Sequence, residues 1–189
     1  SVVLPVIKPT LGNDCVDIAK LTKETGFFTY DSGFTATASC KSAITYIDGD
    51  KGVLLYRGYP IEQLSEKSSY VEVAYLLLNG ELPSVEQLSN FTDHLSKHSL
   101  IHEDMKHFFE GFSTTAHPMV ILSSMVSSLS AFYSEASGAA SVDQLEINTA
   151  RLMAKIRTIA AFSYKKSIGQ PIIYPQDKLA YCANFLNMM

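Results

Sequence analysis

Residues 141–164, SVDQLEINTARLMAKIRTIAAFSY, decide the fold class, because their pattern predicts one helix of about twenty residues. Ser141 fits the N-cap of a capping box, since Gln144 stands three positions later and can bond back to the Ser141 backbone. The pattern breaks at residues 169–171, Gly-Gln-Pro, and Asp177 is then expected to cap a final helix. We therefore expect a mainly α protein.

Helical periodicity also covers the preceding residues from about Pro60 onward. Gly80 is expected to stop one of these helices, and Ser84 with Gln87 fits another capping box. Pro118 suits the first position of an apolar helix. The predicted helices cover residues 61–66, 70–79, 84–99, 101–112 and 118–133, and residues 135–141, EASGAAS, are predicted to form a loop of small residues.

The residues before this helical region have the composition of short strands and turns. Residues 26–30, GFFTY, have the aromatic and β-branched content of a strand. Residues 42–56 predict a hairpin, because Asp48-Gly49 stands between two β-rich runs. We therefore expect a small amino-terminal β element in a β/turn region at residues 1–58, followed by a helical region at residues 59–189.

The composition is that of a folded protein, since 47% of the 189 residues are apolar and 18% are charged. The net charge of −4 disfavours a nucleic-acid partner, because phosphate binding needs a concentrated basic face. The longest apolar stretch, residues 118–133, is interrupted by serines and short for a bilayer span, so no membrane association is expected. No secretory signal is visible at the start, SVVLPVIKPT, which favours a cytoplasmic protein.

The cysteines and the chain ends carry two further expectations. Cys15, Cys40 and Cys182 are far apart and form no CxxC pair, so we expect three free, buried thiols in a reducing cytoplasm. The chain begins at Ser1 and stops within an apolar helical run, LAYCANFLNMM, whose apolar face needs a partner. On this pattern we expect a fragment of a longer chain.

The histidines raise the question of a metal site, because His94, His98 and His102 recur at helical spacing. The junction at residues 99–101 is expected to break the helix, and HExxH fails because the next histidine after His102 is His107. We therefore expect no metal. The sequence also lacks GxGxxG, P-loop and GxSxG motifs, so it holds no recognisable complete active site.

One cationic pair requires an explanation. Arg151 and Lys155 are like charges at i, i+4, which is mildly destabilising in an isolated helix. Glu146 is the only acidic residue between positions 145 and 164, so water, an acidic group elsewhere or an anionic ligand must compensate. Water is the default interpretation. Tyr133, at the end of the preceding helix, adds an aromatic face or hydroxyl, and a phosphate-bearing nucleotide would use both the pair and this ring.

Three stretches resemble the amino-terminal half of citrate synthases, in the family's order. They are residues 34–58 (FTATASCKSAITYIDGDKGVLLYRG), 70–83 (YVEVAYLLLNGELP) and 163–189 (SYKKSIGQPIIYPQDKLAYCANFLNMM). The likeness covers essentially the whole chain, and the version resembled is the NADH-inhibited, hexameric type of Gram-negative bacteria. The resemblance implies the family's helical fold, with residues 59–189 forming part of an incomplete large domain.

The resemblance also implies a reaction, in which acetyl-CoA condenses with oxaloacetate and the citryl thioester is hydrolysed to citrate and CoA. This reaction of the tricarboxylic acid cycle uses general acid–base chemistry and electrostatic stabilisation, and needs no cofactor for catalysis. In the family the catalytic groups come from the carboxy-terminal half, so we expect no catalytic residue in this chain and no activity from it alone. The family also implies a homodimer or hexamer, with the segments 118–133 and 141–164 packing across the dimer.

The resemblance further places most of an allosteric NADH site in this chain. Tyr133, Arg151, Lys155 and His98 fall on nucleotide-contact positions of the NADH-inhibited type. Two departures are visible: Lys97 stands where Arg is expected, and Leu100 where Met is expected. Lysine keeps the charge without the guanidinium fork, and leucine is less adaptable than methionine, so weaker binding or altered inhibition is expected. We expect NADH to act as an inhibitor.

Two other interpretations stay open on the sequence. A 2-methylcitrate synthase would use propionyl-CoA in place of acetyl-CoA, and the substrate-contacting residues that separate the two are not in this chain. A stand-alone helical nucleotide-binding or interaction module would not need a longer chain.

Overall fold

The structure, a computed structural model, describes residues 1–133 and 141–189. The predicted loop at residues 135–141 therefore lies outside the described residues, apart from Ser141. The chain divides into two compact units, Ser1–Lys67 and Ser68–Met189.

The first unit combines short strands with two short helices. An antiparallel hairpin joins β3 to β4, as predicted for residues 42–56, and Asp48 holds its turn by accepting bonds from the Lys51 backbone at 3.1 Å and the Lys51 ammonium at 3.0 Å. The unit contains β1 (Val6–Ile7), β2 (Cys15–Val16), α1 (Leu21–Thr25), β3 (Thr45–Asp48), β4 (Val53–Tyr56), β5 (Tyr59–Pro60) and α2 (Ile61–Lys67). Helix α2 groups with the sheet because it follows β5 directly and packs on β4 and β5.

The strand predicted at residues 26–30 is wrong. Gly26 instead ends α1, with a φ of 76° and its N–H donating to the Thr22 carbonyl at 2.8 Å. Phe27 and Phe28 are 71% and 84% exposed and pair with no strand of the described residues. Aromatic content favours a strand only where a neighbouring strand offers a ladder and a surface to pack on, and these residues have neither.

The second unit is helical, and the predicted mainly α fold class is confirmed. Its helices are α3 (Tyr70–Asn79), α4 (Val85–Lys97), α5 (Met105–Glu110), α6 (Pro118–Phe132), α7 (Val142–Ser167) and α8 (Tyr181–Met188). The larger core cluster joins α5, α6, α7 and α8, with Met105, Met125, Phe162 and Met188 all nearly inaccessible to solvent. A smaller cluster joins α3, α4 and α7. The 26-residue helix α7 thus contributes to both clusters.

Helix termini follow the predicted capping chemistry in part. The Ser84 hydroxyl accepts the Gln87 N–H at 3.2 Å, and the Gln87 side chain accepts the Ser84 N–H at 2.8 Å, which completes the predicted box. Ser141 also accepts the Gln144 N–H, at 3.3 Å, but the Gln144 amide donates to Asn148 at 3.2 Å. The capping box predicted at Ser141 is therefore only half made.

Two helix predictions in the second unit need correction. Helix α5 spans Met105–Glu110, shorter than the predicted residues 101–112, because residues 101–104 form a turn in which the Met105 N–H bonds to the His102 carbonyl at 3.0 Å. Asp177 does not cap α8, which begins after Ala180 without a side-chain cap. Asn184 on α8 instead holds the preceding loop by bonding both backbone groups of Gln176, at 3.0 and 2.8 Å.

All three cysteines are free, but the prediction that they are buried is wrong. Cys40 and Cys182 are exposed, and Cys15 is partly buried. Among the described residues, no helix combines the length and the apolarity needed to cross a membrane.

The Ser84 cap gives a direct test of helix α4. We predict that Ser84→Ala lowers the free energy of unfolding by about 1 kcal/mol, because the Gln87 backbone N–H loses the hydroxyl that accepts its hydrogen bond. Denaturant unfolding measures the change. Ser89→Ala is the matched control, since Ser89 is exposed in the middle of α4 and alanine is the better helix former there. Equal effects of the two substitutions would contradict the capping role.

Candidate functional site

Four of the five predicted nucleotide-contact residues converge in the second unit. Arg151 and Lys155 lie one turn apart on α7, Tyr133 is the C-cap of α6, and His98 is the C-cap of α4. The Tyr133 ring lies beside both cations, with its centroid 5.1 Å from the Arg151 guanidinium carbon and 4.7 Å from the Lys155 ammonium. We call His98, Tyr133, Arg151 and Lys155 the cationic cluster.

Lys155 is buried at the centre of this cluster, with only 3% of its surface exposed. Its ammonium donates to the His98 carbonyl at 3.2 Å and to the Leu100 carbonyl. These carbonyls lie at and just beyond the end of α4, where a helix presents partial negative charge. Water is therefore not what compensates Lys155, because two carbonyls and the Tyr133 ring surround its charge.

Arg151 differs from Lys155 in that it remains partly exposed. It donates one bond to the Asn148 side chain at 3.3 Å and packs against the Tyr133 ring. No carboxylate lies within ion-pair distance of it among the described residues. A guanidinium has five N–H donors in a planar fork, so Arg151 keeps donors available for an anion.

His98 completes the cluster as a neutral group. Burial is the main cause that lowers the pKa of the His98 imidazole, and the positive charges of Arg151 and Lys155 lower this pKa further. His94 and Lys97 act on it in the same direction. At neutral pH the ring therefore offers one donor and one acceptor instead of another positive charge.

Lys97, the fifth predicted residue, lies at the rim. It is the last residue of α4, and its side chain is exposed. The charge of Lys97 lowers the pKa of His98, and this is how Lys97 acts on the cluster. Leu100, which stands where the resemblance calls for methionine, is 57% exposed beside it.

A cavity of about 470 Å³ opens between α3, α4 and α7, next to the cluster. His94 lines it one turn before His98, and Ala150 lines it beside Arg151. Its wall also mixes apolar and amide side chains with one carboxylate, and includes Phe91, Asn90 and Glu146. No motif in the sequence marks this cavity, because its lining comes from three separate helices.

The histidine series does not form a metal site. Helix α4 ends at Lys97, so the predicted break separates His102 from His94 and His98. The His102 ring packs instead on Phe132, with centroids 4.9 Å apart. Over residues 1–133 and 141–189, no group of three or more His, Cys, Asp or Glu side chains is arranged to hold a metal ion.

The comparison with protein families shows to which family the chain belongs. A family model described as "Citrate synthase, C-terminal domain" matches residues 33–189. The chain belongs to the citrate synthase family. The matched region begins in the first unit and runs to Met189.

Curated citrate synthases and solved structures agree with this assignment. Citrate synthase 1 from two Mycobacterium tuberculosis strains, CDC 1551 and H37Rv, is 51% identical over 185 residues. Those residues make up 98% of this chain and 43% of the relative, so the chain spans less than half the length of these proteins.

Three solved citrate synthases share the fold. The enzyme from Pyrobaculum aerophilum is 33% identical with a TM-score of 0.73, over 83% of this chain and 41% of that one. The enzyme from Thermotoga maritima is 28% identical with a TM-score of 0.72, over 85% and 41%. The enzyme from Thermoplasma acidophilum, solved with carboxymethyl coenzyme A and oxaloacetate, is 23% identical with a TM-score of 0.76, over 82% and 41%, and supports the fold alone.

The lowered pKa of His98 predicts how stability depends on pH. Because this pKa lies below its ordinary value of 6.5 in the folded state, the unfolded chain takes up the proton first as pH falls. We therefore expect the free energy of unfolding to decrease as pH is lowered below about 6.5, and His98→Gln to reduce this decrease. Urea unfolding of the full-length protein at about pH 7.5 and about pH 5.5 measures it.

His107→Gln is the control for this prediction, because it removes an exposed histidine on α5 that lies outside the cluster. A His98→Gln variant with the same pH dependence as the unmodified protein would contradict the assignment.

Proposed function

We propose that the full-length protein is a citrate synthase that condenses acetyl-CoA with oxaloacetate, giving citrate and CoA in the tricarboxylic acid cycle. The observation that carries this proposal is the 51% identity to citrate synthase 1 over 98% of the chain. Because the chain spans 43% of that relative, the catalytic residues are expected in the part it does not cover, and the chain alone is expected to be inactive.

We propose that the cationic cluster binds NADH as an allosteric inhibitor, as in the NADH-inhibited type of Gram-negative bacteria. The convergence of His98, Tyr133, Arg151 and Lys155 supports this role. The Arg151 fork suits a pyrophosphate oxygen pair, and Lys97 adds an exposed charge at the rim. The cavity between α3, α4 and α7, which His94 and Ala150 line beside His98 and Arg151 along the helices, has the size to take a nucleotide base, and Glu146 adds a carboxylate to its wall.

Lys155 is buried and contributes charge to this site from below the surface, since two of its three N–H donors are bound to the His98 and Leu100 carbonyls. NADH in this role is a regulatory ligand, and catalysis itself needs no cofactor. The lysine at position 97 and the leucine at position 100 favour weaker nucleotide binding than the arginine and methionine they replace.

Self-association into a dimer or hexamer is part of the same proposal, as is a location in the cytoplasm. Helices α6 and α7 expose apolar side chains that a monomer would leave in water. Met119 and Val120 on α6 are 60% and 56% exposed, and Leu145 and Leu152 on α7 are 61% and 43% exposed.

The experiment that tests the reaction is release of the CoA thiol from acetyl-CoA and oxaloacetate, measured on the full-length protein and on this chain. We expect the full-length protein to be active and the chain to be silent. Activity with propionyl-CoA but not acetyl-CoA would identify a 2-methylcitrate synthase. An active chain would refute the location of the catalytic residues, and a full-length protein that releases no thiol from either substrate would refute the reaction.

The regulatory site has a separate test. We predict that Arg151→Gln weakens inhibition of the full-length protein by NADH by about tenfold, because the pyrophosphate loses charged donors. Lys178→Gln is the control, since it removes one positive charge from an exposed loop position. Inhibition that Arg151→Gln leaves unchanged would refute the site, and an active protein indifferent to NADH would refute the ligand.

A further inference from the structure

Residues 98–100, which follow α4, are fixed by side chains from one turn of α7. We call them the junction segment. The Lys155 ammonium binds its first and last carbonyls, and the Thr158 hydroxyl donates to the carbonyl of Ser99 at 2.7 Å. Ser99 is 1% exposed, and its hydroxyl donates to the Leu95 carbonyl at 2.9 Å. Every carbonyl of this short non-helical segment therefore has a partner on α7.

Arg157 supplies the remaining contact to the junction segment. Its Nη2 donates to the Ser99 hydroxyl at 2.7 Å, and its Nη1 donates to the Tyr181 carbonyl at 3.0 Å. The guanidinium carbon lies 4.3 Å from the centroid of the Tyr181 ring. Arg157 thus connects the end of α4 with the start of α8.

The setting of Arg157 is energetically unfavourable. The residue is 5% exposed, and its Nε is a buried donor without a hydrogen-bond partner among the described residues. No carboxylate lies within ion-pair distance in the part of the chain that the structure describes. Burying a guanidinium in this way costs more than burying an apolar side chain of similar volume. Packing of the core alone therefore does not explain why an arginine occupies this position.

Two further contacts hold the Tyr181 side of this interaction. The Tyr181 ring stacks on Tyr70 with centroids 5.1 Å apart, and its hydroxyl donates to the Met153 carbonyl at 2.9 Å. Because Tyr181 is held in place, the Nη2 group of Arg157 has a defined position, and its hydrogen bond fixes the Ser99 hydroxyl there. Removal of the guanidinium would leave the Ser99 hydroxyl with its bond to the Leu95 carbonyl but without its link to α7 and α8.

We propose that Arg157 is a positioning residue for the cationic cluster, which it serves by holding Ser99 and thereby the whole junction segment. His98 belongs to that segment and Lys97 precedes it, so both depend on its placement. The Lys155 ammonium depends on it too, because its two carbonyl partners lie on either side of Ser99. The assignment of NADH as the ligand of the cluster rests on the proposed function, whereas the positioning role rests on the contacts of Arg157.

The test compares four forms of the full-length protein with the unmodified one: Arg157→Met, Ser99→Ala, the double variant, and Lys178→Met. Methionine keeps an apolar stem and removes the charge and donors, and Lys178→Met removes a charge at an exposed position. Hydrogen exchange followed by mass spectrometry measures the local stability of the junction segment in the absence of ligand. The dissociation constant for NADH measures the binding capacity of the cationic cluster. Ser99→Ala is the milder variant and keeps the test open if Arg157→Met fails to fold.

We expect Arg157→Met and Ser99→Ala each to speed exchange in peptides covering residues 97–101 by about tenfold, with little change in α5 and α6. Each is expected to raise the dissociation constant for NADH by about tenfold. The double variant should do no more than the stronger single one, because each single variant already abolishes the Arg157–Ser99 contact, and Ser99→Ala also removes the bond to Leu95. Lys178→Met should change neither reading.

Unchanged exchange at residues 97–101 would overturn the positioning role, and so would additive effects or equal loosening of α5 and α6. Faster exchange at the junction segment with unchanged NADH affinity would overturn the link to the cluster. If the unmodified protein binds no NADH, the proposed ligand is wrong, and the exchange result alone decides whether Arg157 holds the segment.

Discussion

The contact between the Lys155 ammonium and the end of α4 is the interaction on which the candidate site depends. It joins α7 to the two carbonyls that flank Ser99, and it lies against the Tyr133 ring at the end of α6. Three helices that are distant in sequence therefore meet at one buried positive charge. A charge removed from water needs several partners in fixed positions, so the contact restricts where each helix end can lie.

Helix α7 makes this arrangement possible because it belongs to both core clusters of its unit. Ile159 and Phe162 pack with α5, α6 and α8, while Ala150 and Ala154 pack with α3 and α4. The two alanines leave room for α4 to approach closely. The polar residues Lys155, Arg157 and Thr158 lie between these apolar groups and reach the junction segment. Apolar burial supplies the stability, and the polar contacts select one geometry for the helix ends.

Much of this architecture could be predicted from the sequence, because it depends on local signals. The Ser84 box, Pro118 at the start of α6, Gly80 at the end of α3 and the hairpin around Asp48 are each written in a few neighbouring residues. The strand at residues 26–30 failed because a strand needs a partner, and partners are not a local property. The same limit explains why Asp177 was assigned a cap that α8 does not use.

The candidate site likewise has parts that could be predicted from the sequence and parts that could not. The cations on α7 were visible as a like-charge pair with Tyr133 nearby, and the resemblance added His98 and Lys97. The carbonyls that accept from Lys155 lie 55 and 57 positions away, and backbone groups look alike in any sequence. The Arg157 contacts were invisible for the same reason, since they join residues 24 and 58 positions apart.

The groups that stabilise the Lys155 charge affect which ligands the cluster can bind. A carboxylate partner would have neutralised the ammonium and left little net potential for an anion. Carbonyl dipoles and an aromatic face stabilise the charge without cancelling it, so Lys155 still contributes positive potential at the surface. Burial is the main cause of the lowered pKa of His98, and the charges of Arg151 and Lys155 oppose protonation of its ring as well. Arg151 lies in this potential with donors free, and an anion that binds there relieves the repulsion within the pair. The like-charge spacing that is unfavourable in an isolated helix thereby becomes a source of anion affinity.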